Sequence, residues 1–279
     1  SAPVPSFAQV QLYQSAATSN YNGLVITANH RERYATVALN YTYSHAMDEI
    51  SNGGFLPFNP ANSSYPNNPY DLSQNYGNSD YDVRHNITGD YVVRLPYWGG
   101  PRLLTDNWQF SGTVFYHTGF PFSITANNLA TGLNAVNYYG PAFAEQLGPQ
   151  PSYHCRSNAI ANVATGAGNP CLQLNGFAVP TGFDVQRRNQ FFGPHYVNTD
   201  FAAQKGFAIP HWEGATLNVG AQFFNLFNHP NFAQPVSDIS SPLFGLINSV
   251  VSTPTSIFGN GLGGDASPRI IQLKASFQF

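Results

Sequence analysis

The sequence predicts an all-β chain, part of an antiparallel up-and-down transmembrane β-barrel of about seven to eight strands with long extracellular loops. Three observations predict it. Charged residues make up 9% of the 279 positions and aromatics 15%, whereas an average soluble domain is roughly 25% charged. Such a chain cannot cover a water-facing surface with charge. Seven stretches alternate apolar and polar residues at period two, as a two-faced strand does. The connections between them alternate short and long without exception, which is the asymmetry of bacterial outer-membrane barrels. No apolar run approaches the ~20 residues of a transmembrane helix.

Residues 1–19, with Pro3 and Pro5 and a weak alternation through Val10, Leu12 and Tyr13, read as a loop with room for a short strand. The first strand begins at Asn20-Tyr21-Asn22-Gly23 and sets Leu24, Ile26 and Ala28 against Val25, Thr27 and Asn29. A short charged turn at Arg31-Glu32-Arg33 returns the chain through Ala35, Val37, Leu39, Tyr41 and Tyr43, a hairpin. Residues 46–80 carry Pro57, Pro60, Pro66 and Pro69 with many Asn and Tyr, and no period survives; this is a long loop. The third strand has Val83, Ile87, Tyr91, Val93 and Leu95 on one face, with His85 and Gly89 as weak points. Arg84, Asn86, Thr88, Asp90 and Arg94 lie opposite.

A medium turn through Gly99-Gly100-Pro101 leads to a fourth strand from Trp108 to His117, ended by Pro121. Residues 123–194 form a second long loop. The fifth strand is Tyr196–Ile209, turned by Pro210-His211-Trp212-Glu213-Gly214 into a sixth from Thr216 to Phe223. A third long loop runs to about Ser267. The last strand, from Arg269, places Ile271, Leu273, Ala275, Phe277 and Phe279 on one face. A soluble edge strand gains nothing from a terminal Phe-Gln-Phe, whereas a barrel strand facing lipid places an aromatic at the membrane interface. Leu273, Phe277 and Phe279 are therefore expected to serve as a barrel-assembly signal read by the assembly machinery. Tyr21, Tyr43, Tyr81, Trp108 and Tyr196 lie near strand ends, where an interfacial girdle belongs.

Cys155 and Cys171 are the chain's two cysteines. Their spacing suits a disulfide worth about 3 kcal/mol by loop-entropy reasoning, in an oxidising compartment. Arg84, Asp90 and Arg94 are expected to be lumen-facing charges. A net charge of −3, with no basic stripe, excludes nucleic acid as a partner.

The chemistry expected elsewhere is sparse. Gly259-Asn260-Gly261-Leu262-Gly263-Gly264 matches the glycine pattern of dinucleotide loops, but Pro268 and a strand follow where a helix is needed. The eight histidines lack ligand spacing, so no metal and no cofactor are expected. No nucleophile elbow, zinc-protease motif or P-loop occurs, and no catalysis is predicted.

Several segments resemble the carboxy-terminal barrel of TonB-dependent receptors of the Oar-like type. They are Ser19-Asn20-Tyr21-Asn22-Gly23-Leu24; Tyr41-Thr42-Tyr43-Ser44 with Asp48; Asp82-Val83-Arg84-His85; Asn107-Trp108-Gln109-Phe110-Ser111-Gly112; and Thr118-Gly119-Phe120-Pro121-Phe122. The most specific runs from Phe223 through Asn225-Leu226-Phe227-Asn228-His229-Pro230-Asn231 to Phe232, followed by Pro268-Arg269. The order of these motifs over most of the chain carries the resemblance. It implies that residues 1–279 are the carboxy-terminal part of a plugged barrel of about 22 strands, with the plug and amino-terminal domain outside the sequence. It also implies a Gram-negative outer membrane, its lipid, the TonB complex acting through the plug, and import of a scarce small ligand chosen by the long loops. Two rival readings are a soluble secreted β-sandwich that binds carbohydrate and an outer-membrane hydrolase with a Ser-His-Asp set.

Overall fold

In a computed structural model, the structure describes residues 15–51, 67–68, 71–126, 142–148, 168–183, 186–210, 212, 214–251 and 268–279. Seven long strands run β1 (Ser19–Arg31), β2 (Ala35–Asp48), β3 (His85–Arg94), β4 (Trp108–His117), β5 (Tyr196–Ala208), β6 (Thr216–Phe224) and β7 (Ile270–Gln278). They pair antiparallel in the order in which they occur, β1 to β7, forming a single meander. The sheet is open: among the described residues, β1 pairs only with β2 and β7 only with β6. Strand bounds follow the alternation closely, except that β2 continues to Asp48, past the expected end near Tyr43.

Register makes the two faces continuous across the sheet. On one face Leu39, Gly89, Val114 and Thr199 lie in one row; Phe201, Phe223 and Ile271 lie in another. On the other face Asp90, Thr113 and Asp200 share a row, as do Arg94, Gln109 and Gln204. The expected weak points on the apolar face are filled by neighbours. His85 Nδ1 lies 2.9 Å from the Tyr41 hydroxyl, and its ring packs on Tyr41 and Tyr43. A Cβ on Gly89 would stand in ordinary contact with Leu39.

Short connections gather at one end. Residues 32–34 close the β1–β2 hairpin, residues 95–107 hold a single helical turn (Arg102–Thr105), and residues 209–215 join β5 to β6. Glu32 N–H donates to the Ala35 carbonyl at 2.7 Å. The three long connections gather at the other end. There, instead of loose loops, the described segments build the molecule's hydrophobic core: Phe122, Ile124, Ala126, Ala144, Leu172, Phe177, Phe191, Ile239 and Phe244. Two-residue pairings at Pro121–Phe122 with Phe191–Phe192, and Glu145–Gln146 with Phe177–Ala178, tie this cap together.

Candidate functional site

The cap leans over the polar face of the sheet. At the upper end of β2 the residues of that face, Ser44, Ala46 and Asp48, are buried, as are Tyr196 and Asn198 on β5. Among the described residues the apolar face is largely without cover. Leu24, Ile26, Leu39, Leu273 and Phe277 are all exposed, Leu273 at 82%. A sheet of this size with its apolar side bare and its buried core confined to one end is the reverse of a soluble sandwich, which hides its apolar faces between two sheets.

One buried cation holds the cap to the sheet. Arg188 is 1% exposed. Its Nη1 donates to the Asp48 carbonyl at 2.9 Å and to Asp48 Oδ1 at 2.5 Å; its Nη2 donates to Ser51 Oγ at 2.5 Å and to Asp80 Oδ1 at 3.2 Å. Asn189, left-handed at φ 52°, adds Nδ2 bonds to Asp80 Oδ1 and to the Asn78 carbonyl. Gly77 is obligatory beside this cluster, because a Cβ there would come within 2.5 Å of the Arg188 carbonyl. Asp82 accepts from Ala46 N–H at 2.7 Å and from Arg84 Nε at 2.8 Å. Two long connections and the end of β2 therefore meet at charges buried in pairs, the condition under which buried ions are tolerated.

The third long connection is fastened by asparagines. Asn225 takes φ 49° after β6; its N–H donates to Asp200 Oδ1, its Oδ1 accepts from His229 N–H, and its Nδ2 donates to the His229 carbonyl. Asn228, at φ 52°, accepts from Arg269 N–H at 3.0 Å, next to β7. Asn231 bonds both Val197 backbone groups at 2.8 Å, continuing the pairing of β5. Asn tolerates the left-handed region better than other side chains and can stand in for backbone partners. The three together clasp β5, β6 and β7.

A family model described as an outer membrane beta barrel domain matches residues 1–272. The chain belongs to this family. No curated protein and no solved structure matches the chain. For an outer membrane beta barrel domain the bare face is the lipid face, the polar face lines the lumen, and the capped end is extracellular. The location is the outer membrane.

The residues singled out in the sequence then take definite places. Leu273, Phe277 and Phe279 lie on the lipid face of the edge strand or just past it. Phe277 and Phe279 pack with Trp212 at ring distances of 5.5 and 6.2 Å, an aromatic cluster at the periplasmic rim. Asp90 and Arg94 sit on the polar face of β3, and Arg94 Nε reaches Gln109 Oε1 at 3.2 Å. Arg84 lies just before β3, and its guanidinium turns to Asp82 and Asn78, into the cap. Two expected girdle residues sit elsewhere: by register Tyr21 and Tyr196 share the lumen face, since each is an even number of positions from a lumen-facing neighbour on its strand. Trp108 lies on the apolar face at the start of β4, and its Nε1 donates to the Leu104 carbonyl at 2.7 Å.

Cys171 carries no free thiol and packs against the cap core. Cys155, like the glycine run 259–264, lies outside the described residues, so the Cys155–Cys171 pairing stands as our proposal. No three metal-binding side chains converge among the described residues. Sequence reasoning missed Arg188, Asn189 and Asp80; the only signal was two adjacent arginines, Arg187 and Arg188, inside a loop of a chain poor in charge.

Proposed function

We propose that this barrel domain forms part of the wall and the ligand-selecting extracellular loops of a TonB-dependent, Oar-like receptor that imports a scarce small ligand in a Gram-negative bacterium. The observation that carries the reading is the open sheet, whose β1 and β7 edges stay unpaired among the described residues, beneath a built cap. Bare edges within a bilayer leave N–H and C=O groups without partners, and further strands satisfy them. The seven long strands among the described residues are also fewer than the eight of the smallest outer-membrane barrels. The motifs shared with Oar-like receptors support the same reading, and the Asn225–Asn231 clasp gives the most specific of them a structural role at the extracellular rim.

In this reading the domain performs no catalysis. It offers a polar lumen to the ligand and contacts lipid and the barrel assembly machinery, while the TonB complex acts through a plug. The soluble carbohydrate-binding sandwich is not favoured, because the strands form one sheet with its apolar side bare.

The test uses the whole gene product expressed in a Gram-negative host. The expected result is a heat-modifiable protein extracted from outer membranes only by detergent, which binds the purified periplasmic domain of TonB. A membrane-inserted protein without TonB binding overturns the receptor reading and leaves the barrel intact.

A further inference from the structure

The connection from β3 to β4, residues 95–107, carries large apolar side chains left open among the described residues. Leu103 and Leu104 are 68% and 64% exposed, and Tyr97 and Trp98 on the same turn are exposed too. A single exposed leucine is ordinary, but four large apolar side chains on one turn mark a surface that meets something other than water. The backbone is built to present them. Gly99 and Gly100 take φ 104° and 88°, a region that glycine enters at little cost. The Tyr97 hydroxyl donates to the Gly100 carbonyl at 2.8 Å, and the Leu104 and Thr105 N–H groups donate to the Pro101 carbonyl.

Two side chains of the wall show which way this turn leans. Trp108 Nε1 donates to the Leu104 carbonyl at 2.7 Å, and Lys205 Nζ donates to the Asp106 carbonyl at 2.5 Å. Trp108 and Lys205 are register partners on the apolar face, so the turn is bonded to that face. Rings continue from it into the span. Trp108 stacks on Phe110 at 6.0 Å, Phe110 on Phe201 at 5.8 Å, and Phe201 meets Phe223 at 6.2 Å. The exposed turn is therefore continuous with the lipid face. Its side-chain bonds also satisfy carbonyls that a low-dielectric boundary would otherwise penalise.

Charge follows the same geometry. Lys205 is buried and its ammonium is engaged, whereas Arg102 is exposed. The Arg102 guanidinium lies 5.6 Å over the Tyr97 ring and makes no ion pair among the described residues. A guanidinium stacked on a ring keeps its N–H fork free, and that fork matches the oxygens of a phosphate.

We propose that the β3–β4 turn is an interfacial foot that enters the periplasmic leaflet and holds a glycerophospholipid there. Trp98, Leu103 and Leu104 lie among the upper acyl chains, and Arg102, backed by Tyr97, takes the lipid phosphate. Apolar side chains beside a cation that reaches for the headgroups is the composition of segments that lie in an interface. The inference requires the barrel assignment alone and stands apart from the import reading.

Trp98 fluorescence tests it in the whole gene product, refolded into phosphatidylcholine vesicles with brominated acyl chains. Subtracting the spectrum of Trp98→Phe isolates this residue. Bromines near the carbonyl end of the chains should quench Trp98 about twofold or more over bromines near the methyl end, because an interfacial side chain sits only about 5–10 Å below the headgroups. Leu103→Asp should remove most of that quenching. Arg102→Glu, which sets a like charge against the phosphate, should reduce it as well, and Arg102→Lys should retain most of it. Heat-modifiable migration verifies that each variant is a folded barrel. An unquenched Trp98 overturns the foot and gives the turn to water or to a periplasmic protein. Stronger quenching by the deep bromines overturns the interfacial depth, and quenching unchanged in Arg102→Glu overturns the phosphate contact.

Discussion

Arg188 and Asp48, 140 positions apart in sequence, meet through two hydrogen bonds, one to the aspartate's carboxylate and one to its own carbonyl. Asp48 is the last residue of β2, so this contact fixes the cap to the wall. Replacing Arg188 with Met leaves Asp48 and Asp80 buried without their cation. Removing one partner of a buried pair costs about 3–5 kcal/mol. The expected outcome is rapid proteolysis in the long connections of the membrane-embedded protein, with the strands still protected. Arg188→Met with Asp48→Asn should lose less than the sum of the single losses. Additive losses in that double variant would show that the two residues do not act as a pair.

At Gly112 the wall approaches itself closely. A Cβ there would lie 2.3 Å from the Asp200 carbonyl and 2.6 Å from the Tyr91 hydroxyl, so Gly112→Ala must move backbone as well as a ring. Overpacking of this kind costs about 1–3 kcal/mol. Urea unfolding in lipid vesicles should show the loss, and Tyr91→Ala in the same background should recover only the part due to the ring.

The lipid face should be graded by depth. Lys205 is its one basic residue in β4–β6: it sits at the periplasmic end, donates to the Asp106 carbonyl at 2.5 Å, and lies over the Trp108 and Phe207 rings at 5.4 and 5.0 Å. A long cationic side chain reaching from an apolar surface to the interface costs little. Lys205→Met should therefore change stability by under about 1 kcal/mol, while Val114→Lys, further into the span, should cost about 2–4 kcal/mol. Equal effects from the two would contradict the assignment of this face to lipid.

Phe279→Ser removes a ring that packs on Phe277 and Trp212 at the periplasmic rim. Outer-membrane levels of the full-length variant should fall, as should those of Phe277→Ser. Wild-type levels by membrane fractionation would exclude Phe279 as part of an assembly signal.

Asn225→Ala loses two side-chain bonds to His229 and keeps the left-handed backbone, which disfavours Ala by about 1–2 kcal/mol. Asn225→Gly loses the same bonds without that steric term and should be the milder variant when proteolysis of the connection after β6 is measured. The reverse order would mean that the clasp depends on something other than backbone conformation.

The wall was legible in the sequence because each strand separates two environments, so every second residue records lipid. That record placed β4 at Trp108–His117 and β5 from Tyr196 with no help from tertiary contacts. The cap left no such record. Its contacts join Phe122 to Phe191, Phe177 to Phe244, and Arg188 to Asp48, pairs brought together by irregular backbone that has no period to read. Tyr196 shows the limit of reading strand ends by residue type: an aromatic near a rim suggested a girdle, but register turned it inward. The Asn225–Asn231 stretch could be recognised as a motif, whereas its reason, three side chains replacing absent backbone partners, required dihedral angles.

The cluster from Phe122 to Phe244 has one more consequence. Its apolar side chains pack on one another within the connections that carry them, so the part of the molecule that meets incoming solutes is held together by water, while the part below it is held together by lipid. The two answer to different solvents and need not melt together. Selection can thus rework the outward residues of the one without renegotiating membrane insertion of the other, and the ligand can change while the wall stays the same.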